Sequence, residues 1–380
     1  MTTLSLMGRY HDDRGVLGAE KSAAMPGVST GVGDAALADA AIAEAGWANQ
    51  QADCFGATDV RPLTVRVKST RAPDTADNLQ QSQHSRRFPK PRAMITLLKP
   101  ITWFPPMWAY MCGIVSSGTS LSEHWADLLL GVALAGPLVC GTSQVVNDWF
   151  DRHVDAINEP QRPIPSGDVP GRWGLYYAVV WTALSLWVAY LLGPVMLIAA
   201  TGGLALAWAY SAPPFRLKNN GWFGNLACGL CYEGLPWFTA AAIMAGGIVP
   251  ATPILVVALL YSLGAFGIMT INDFKAIKGD IKMGVRTLPV QLGADRAARI
   301  TCTIMLIPQF GVGLYLASLG HAIASVLVAF LILMQALFMK KFLRDPEAYA
   351  PWYNGTGVTS FVLGMLVSAL AFNGILAGGL

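Results

Sequence analysis

The stretch "NDWFDRHVDAINEPQRPIPSG", residues 147–167, gathers carboxylates directly behind an apolar run. Asn147, Asp151 and Asp155 are spaced i, i+4, i+8 and therefore share one face of a helix, with Asp148 beside them. Carboxylate and amide oxygens without histidine or cysteine partners suit hard cations, above all Mg²⁺. The spacing predicts a Mg²⁺ site formed by these four side chains.

The same pattern occurs a second time in "NDFKAIKGD", which begins at Asn272. Asn272, Asp273 and Asp280 repeat the first, second and last positions of the first copy, whereas Ala276 replaces the acid of Asp151. Each copy continues to an Arg and a Pro, in "RPIP" and "RTLP" respectively. Two copies at equal spacing indicate an internal duplication and predict a second set of metal ligands.

Basic side chains near both copies suit a phosphate ligand. Mg²⁺ rarely receives a complete protein cage and keeps coordination positions for phosphate oxygens. Arg and Lys are good partners for those same oxygens. We therefore predict that the acids hold Mg²⁺ and that Mg²⁺ holds a diphosphate. The candidate residues for the diphosphate are Arg162, Lys275 and, within "YSAPPFRLKNNG", Tyr210, Arg216 and Lys218.

The elements that must position these residues are membrane spans. The chain has 380 residues, of which 54% are hydrophobic and only 13% are charged. This composition is too apolar for a soluble globular protein of this length. Apolar runs of roughly 20 residues, long enough to cross about 30 Å of hydrocarbon, follow one another from residue 100 onward. We predict nine spans, near 101–118, 127–147, 173–192, 194–210, 224–245, 253–271, 298–318, 321–339 and 356–378.

The placement of the cationic residues predicts the orientation of these spans. Of the sixteen Lys and Arg residues after residue 90, fifteen fall before the first predicted span or in every second loop, and Arg299 lies at the edge of such a loop, at the start of the seventh span. By the positive-inside rule, the N-terminus and both motifs are cytoplasmic and the C-terminus is periplasmic. Residues 1–90 lack the apolar core of a secretory signal and read as a disordered tail before a membrane domain of residues 91–380. A net charge of +3 is too small to indicate nucleic-acid binding.

The paired Asp-rich motifs resemble those of the UbiA superfamily of intramembrane prenyltransferases, over residues 92–380. Within that superfamily, the first motif and the stretches "TWFPPMWAYMCGIVSSG", "YSAPPFRLK", "CYEGLPWF" and "MTINDFKAIKGD" are similar to the chlorophyll synthase branch. The resemblance implies an all-helical integral membrane fold, with nine transmembrane helices around a central cavity. It also implies a multi-pass protein of the bacterial inner membrane, in contact with the lipid bilayer.

The resemblance also implies the reaction. A geranylgeranyl or phytyl group moves from its diphosphate to the propionate carboxylate of bacteriochlorophyllide, with Mg²⁺ as the cofactor. One Mg²⁺ is expected at the first copy and another at the second, where Ala276 leaves the number and geometry of the metals open. The candidate catalytic residues are Asp151, Asp155, Asp280, Arg162 and Lys218, and the candidate substrate-binding residues are Asn147, Tyr210, Arg216, Asn272, Lys275 and Glu233.

Glu233 lies near the middle of the fifth predicted span. A charged residue at that depth costs roughly 2.5–3.5 kcal/mol on insertion scales, so we predict that Glu233 faces the cavity or is protonated. In the cavity it would position the acceptor. A hydrogen bond between helices is the other reading. Two alternative functions remain at this point: a prenyltransferase for a quinone or haem precursor, which would share the metal site, and a secondary transporter. Pigment–protein assembly factors are a further class of partner that the sequence leaves open.

Overall fold

The computed structural model of the chain describes residues 87–120, 122 and 124–375. Within that part of the chain every regular element is helical, and the one β-bridge is an isolated pair between Asn220 and Arg286. The predicted all-α fold is thereby confirmed. The predicted disordered tail, residues 1–90, lies almost wholly outside the described residues. Its last four residues, 87–90, contact the loop and helix around Asp168 and Trp173.

Fourteen α-helices follow one another along the described chain. Short 3₁₀ turns at Pro100–Thr102, Leu217–Asn219 and Phe274–Ala276 and π-helical segments at Leu134–Cys140 and Leu230–Gly234 connect some of them. The α-helices are α1 Pro91–Leu97, α2 Phe104–Ser117, α3 Trp125–Ala133, α4 Gly141–Asn158, α5 Trp173–Leu191, α6 Pro194–Ser211, α7 Gly221–Gly229, α8 Leu235–Met244, α9 Thr252–Asp273, α10 Ile277–Met283, α11 Leu288–Leu292, α12 Ala294–Ser318, α13 Ala322–Phe342 and α14 Pro346–Phe372.

Eight continuous helical stretches of the described chain are long and apolar enough to cross a membrane. They are Trp125–Ile157, Trp173–Leu191, Pro194–Ser211, Gly221–Met244, Thr252–Met283, Ala294–Ser318, Ala322–Phe342 and Pro346–Phe372. They match eight of the nine predicted spans. The remaining one, predicted near 101–118, corresponds to α2, whose 14 residues rise only about 21 Å at 1.5 Å per residue. The count of nine is therefore not confirmed, and the orientation that depends on it stays a prediction.

The outward faces of these helices are apolar. Ile198 is 73% exposed, and Ile307 and Phe330 are also largely uncovered. Water would penalise such surfaces, whereas hydrocarbon does not, so these faces suit a lipid environment. The inward faces pack into three clusters of buried side chains. In the largest, Tyr261 stacks on Trp237 at 5.8 Å between ring centroids and meets Phe361 edge-on at 5.2 Å.

Two π-helical segments interrupt the helices that flank the central cavity. Pro137 lies inside the first segment, where its ring removes a backbone donor and disrupts the regular helical ladder. The Trp181 indole donates a hydrogen bond of 3.0 Å to the Pro137 carbonyl. The second segment faces the first, because the Tyr232 hydroxyl lies 3.6 Å from the Cys140 sulfur. Both segments thus place polar side chains on the same cavity.

Candidate active site

A cavity of about 400 Å³ lies between α4, α6 and the helix formed by α7 and its π-helical continuation. Its walls include Asn147 and Asn272, the first residues of the two motif copies, and Tyr210 from the end of α6. Apolar side chains such as Ile101, Leu206 and Met269 form much of the remainder. The duplicated motifs, which are far apart in sequence, therefore contribute to one cavity.

The acids of the first copy are held by two separate groups of basic side chains. In the first group, Asp148 is only 3% exposed and accepts a hydrogen bond of 2.6 Å from Lys99 Nζ. Arg162 Nη1 lies 3.5 Å from the same carboxylate oxygen of Asp148 and 3.0 Å from Asp155 Oδ2. The other edge of the Arg162 guanidinium donates to both carboxylate oxygens of Glu159, at 2.6 and 2.9 Å.

This network keeps Arg162 charged. Burial lowers the pKa of the guanidinium, but the hydrogen bonds to Glu159 and the carboxylates of Asp155 and Asp148 outweigh burial and raise the pKa above its ordinary value. A fixed planar cation at the edge of the motif suits the recognition of phosphate oxygens.

The second group of basic side chains contacts Asp151. Arg216 Nη2 lies 3.2 Å from Asp151 Oδ1, and Lys218 Nζ donates to the other carboxylate oxygen. Burial lowers the pKa of the Lys218 ammonium below its ordinary value, against the opposing attraction of Asp151. The attraction of Asp151 therefore helps to keep Lys218 protonated at its buried position.

Backbone strain coincides with this cluster. Among the described residues, Lys99 and Arg216 are the non-glycine residues with left-handed backbone, at φ values of 45° and 41°. Both pair with acids of the first copy. Such conformations cost of order 1–3 kcal/mol each and are concentrated at functional sites. Their position at the two ion-pair groups supports a functional role for the cluster.

The loop that carries Arg216 and Lys218 also contacts Arg286, in the segment that continues the second copy of the motif. Arg286 N donates to the Asn219 carbonyl at 3.1 Å, and Gly221 N donates to the Arg286 carbonyl at 2.8 Å. A Cβ on Gly221 would lie 2.5 Å from the backbone nitrogen of Leu288, so this close approach requires glycine. The basic loop therefore bridges the two copies.

The second copy is held by neutral partners. Asn225 Nδ2 donates to Asp273 Oδ2 at 3.1 Å, and the Thr287 hydroxyl donates to Asp280 Oδ2 at 3.1 Å. Asn272 Oδ1 accepts from the amide of Asn354, on α14, at 3.0 Å. Lys275 is exposed to solvent. The two copies are thus alike in sequence but different in their electrostatic surroundings.

The oxygen ligands of the site fit Mg²⁺ in their chemistry but are not gathered around one point. Within the described residues no group of three or more His, Cys, Asp or Glu side chains lies close enough to hold a metal ion. The carboxylates of the first copy are instead neutralised by Lys99, Arg162, Arg216 and Lys218. Their chemistry, carboxylate and amide oxygen without sulfur or imidazole, nevertheless fits a hard divalent cation.

The position of Glu233 differs from the sequence-based prediction. Glu233 is buried, 3% exposed, but it is not among the side chains that line the cavity. It lies near Cys112, and its Oε2 atom has no hydrogen-bond partner among the described residues. Acceptor positioning by Glu233 stays a prediction.

Conversely, several site residues were not predicted. In the sequence, Lys99 is recognisable only as a cation before the first span, which bears on the orientation of the spans and not on the site. Gln144, which lines the cavity and donates to the Tyr232 hydroxyl at 3.0 Å, precedes Asn147 by three residues. Its polar character on that helical face was a usable signal.

The fold and the duplicated acidic site define a class of intramembrane transferases. The chain belongs to the UbiA prenyltransferase family, whose model matches residues 103–355. In sequence it is 54% identical to the bacteriochlorophyll synthase 33 kDa chain of Cereibacter sphaeroides over 294 residues, which cover 77% of this chain and 97% of that one. It is 46% identical to the bacteriochlorophyll synthase 34 kDa chain of Chloroflexus aurantiacus, covering 73% and 88%. It is 38% identical to the chloroplastic chlorophyll synthase of Arabidopsis thaliana, covering 81% and 83%.

Solved structures share the fold. A UbiA homolog from Archaeoglobus fulgidus bound to DMAPP and Mg²⁺ superposes with a TM-score of 0.55 at 20% identity, covering 73% of this chain and 99% of that one. A UbiA homolog from Aeropyrum pernix superposes with a TM-score of 0.52 at 22% identity, covering 73% and 97%. At this level of identity the likeness concerns the fold alone. It agrees with the predicted all-helical fold.

Proposed function

We propose that this protein transfers a prenyl group from geranylgeranyl or phytyl diphosphate to the propionate carboxylate of bacteriochlorophyllide, at the last stage of bacteriochlorophyll synthesis. One observation carries the proposal: the chain is 54% identical to a bacteriochlorophyll synthase chain over almost the whole length of that relative. The relatives described above give no support to a quinone or haem prenyltransferase or to a transporter.

The basic side chains bind the diphosphate in this proposal. Arg162, Arg216 and Lys218 already lie beside the acids of the first copy. Each side chain has more than one N–H donor and can also donate to a phosphate oxygen. Tyr210 lines the cavity at the end of α6 from which the basic loop follows, which supports its proposed contact with the leaving group. Lys275 is an additional exposed cation beside the second copy.

Mg²⁺ is the proposed cofactor, and when bound it neutralises the negative charge that grows on the departing diphosphate. The residues that would hold it are Asn147, Asp148, Asp151, Asp155, Asn272, Asp273 and Asp280. The Archaeoglobus homolog was solved with Mg²⁺ and DMAPP, which supports this choice of ion.

The reaction needs little acid–base chemistry. The bond between prenyl C1 and the diphosphate oxygen breaks, the pair of electrons leaves with the diphosphate, and a carboxylate oxygen of the acceptor forms the new ester bond to C1. The acceptor carboxylate is ionised at neutral pH, so no strong general base is required. Apolar cavity walls such as Ile101, Leu206 and Met269 exclude the water that would otherwise capture the allylic cation.

The topology completes the proposal. The N-terminus and both motifs face the cytoplasm, and the C-terminus faces the periplasm of a bacterial inner membrane, because the cationic loops alternate along the sequence. The lipid bilayer then supplies the apolar prenyl donor laterally. Pigment–protein assembly factors stay a class of partner without a designated surface.

Pigment esterification is the direct test. The purified protein in detergent is incubated with bacteriochlorophyllide and geranylgeranyl or phytyl diphosphate, with and without Mg²⁺. The expected result is a Mg²⁺-dependent esterified pigment. Prenylation of a hydroxybenzoate or naphthoate, with no pigment ester, would retain the site and overturn the acceptor.

A further inference from the structure

A second cavity adjoins the central one. It has a volume of about 380 Å³ and lies between α6, the π-helical segment Leu230–Gly234 with α8, and the first half of α9. We name it the α6–α9 groove; Gly202, Gly234, Phe238 and Leu255 are among the residues lining it. Leu206 and Cys231 line both cavities, so the groove adjoins the candidate active site at these two side chains.

The groove is almost purely apolar. Of its lining side chains, Cys231 and Ser262 carry a polar atom, and the Ser262 hydroxyl already donates to the Ala258 carbonyl at 2.8 Å. A tetrapyrrole, with carbonyl groups and a central metal, would leave those groups without partners there. A hydrocarbon chain has no such requirement.

The groove also opens toward lipid. Gly202 is exposed on the outer face of α6, and Leu259 is 53% exposed on α9. An occupant that is part of a membrane lipid substrate can therefore enter from the side.

Resting on the function proposed above, we infer that the α6–α9 groove holds the distal isoprene units of the prenyl donor. The path to it follows one face of α6, because Tyr210, Leu206 and Gly202 are spaced at intervals of four. Tyr210 lies at the diphosphate end, and Gly202 is about 12 Å away along the helix axis at 1.5 Å per residue. A prenyl tail must therefore extend about 12 Å from the diphosphate end before it reaches Gly202 in the groove.

Chain length decides which donors reach the groove. An extended chain gains roughly 1.2 Å per bond, by analogy with the reach of an extended backbone. The eight main-chain carbons of a C10 donor span about 10 Å and end before Gly202, whereas the sixteen of a C20 donor span nearly 20 Å. The groove is therefore a device for selecting long donors, independent of the diphosphate site.

Gly202 offers a variant that fills the groove without disturbing the helix packing. Gly202 lines the groove and a Cβ there meets no atom within 4 Å, so a large side chain can extend into the groove without a clash at its base. Ala205 lies on the same helix, is also exposed, and lines neither cavity. Gly202→Phe and Ala205→Phe are therefore a matched pair.

The test compares kcat/KM for C10, C15 and C20 diphosphates in the wild type and both variants. We expect Gly202→Phe to lower kcat/KM for the C20 donor at least tenfold while that for the C10 donor changes less than twofold. Ala205→Phe keeps the wild-type preference. Because donors are compared within one preparation, partial unfolding lowers all rates equally; if Gly202→Phe does not accumulate, Gly202→Leu serves with the same readout.

Several outcomes separate the two proposals. An unchanged donor preference in Gly202→Phe, an equal loss with all donors, or the same shift in Ala205→Phe overturns the assignment of the groove. If the groove binds only a lipid of the bilayer, Gly202→Phe leaves the donor preference unchanged. Absence of pigment ester with every donor in the wild type contradicts the proposed function itself.

Discussion

Lys218 Nζ and Asp151 Oδ2 form an ion pair although 67 positions separate the two residues in the chain. Arg216 contacts the other oxygen of the same carboxylate at 3.2 Å. A loop between α6 and α7 thereby closes over the helix that carries the first Asp-rich motif. This contact joins the acids of the site to the cations that would receive a diphosphate.

Asp151→Asn tests the central acid. The amide keeps the size of the side chain but removes the charge that holds both Arg216 and Lys218 and would contribute to metal binding. We expect a loss of pigment esterification of about 10²–10³-fold, the scale seen when one electrostatic group of a catalytic site is removed. Esterified pigment is quantified by chromatography.

Asp168→Asn is the matched control for that variant. Asp168 also forms a salt bridge, of 2.6 Å to Lys90, but at a partly exposed position outside the cavity. Its activity should stay within about twofold of the wild type, because surface ion pairs contribute little. Comparable losses in both variants would assign the effect to folding.

The pH dependence of activity tests Lys218. Burial lowers the pKa of Lys218, with Asp151 opposing that shift, so its positive charge is present at low pH and is lost as the pH rises through the lowered value. The rate of esterification should therefore decline at a lower pH than it would if Lys218 had the pKa of an ordinary lysine. Lys218→Arg should extend activity to higher pH, because a guanidinium stays protonated.

Rate–pH profiles from pH 7 to 9.5 measure this shift. Lys282→Arg, at an exposed position on α10, is the control and should reproduce the wild-type profile. If the wild type and Lys218→Arg decline together, the alkaline limb belongs to another group.

Lys99→Met tests whether the buried acid Asp148 depends on its partner. Asp148 is 3% exposed, and its remaining basic neighbour, Arg162, lies 3.5 Å away. Leaving this carboxylate poorly paired should lower the free energy of unfolding in detergent by about 1–3 kcal/mol. Thermal unfolding measures the loss.

Two further variants show whether a stability loss in Lys99→Met comes from the unpaired carboxylate of Asp148. Lys90→Met breaks an exposed pair and should change stability by less than about 1 kcal/mol. The double variant Lys99→Met with Asp148→Leu removes both charges and should recover stability but not esterification. Recovery of both would show that the pair is structural only.

Ala276→Asp tests the metal requirement of the second copy. The substitution restores the acid that the first copy has at Asp151, one turn after Asn272 and Asp273. An added carboxylate at a site for a hard cation should lower the Mg²⁺ concentration at half-maximal activity by about tenfold or less. Removal of divalent ions with EDTA should abolish activity in both proteins, and added Mg²⁺ should restore it.

The control for that titration is Gly279→Asp, which adds the same charge to the neighbouring turn, where a Cβ meets open space. It should leave the Mg²⁺ dependence near that of the wild type. Equal shifts in both variants would indicate a general effect of surface charge rather than a ligand.

The sequence by itself determined the parts of this protein that depend on local periodicity. Apolar runs predicted the helices, because the length that crosses hydrocarbon is set by the rise per residue. The i, i+4, i+8 spacing of Asn147, Asp151 and Asp155 placed those residues on one face, and the repeat at Asn272 indicated the duplication. The motifs were also specific enough to indicate the family.

Tertiary structure alone decided which distant groups meet. Asp148 pairs with Lys99 across 49 positions, and the loop residue Asn219 pairs with Arg286 beyond the second motif. Glu233 is buried and does not line the cavity, whereas Cys231 and Tyr232 of the same π-helical segment do. The spacing of residues along a helix determines the face on which each side chain lies. Which neighbouring helix that face meets depends on how the helices pack. The periodic pattern of a single sequence does not encode that packing.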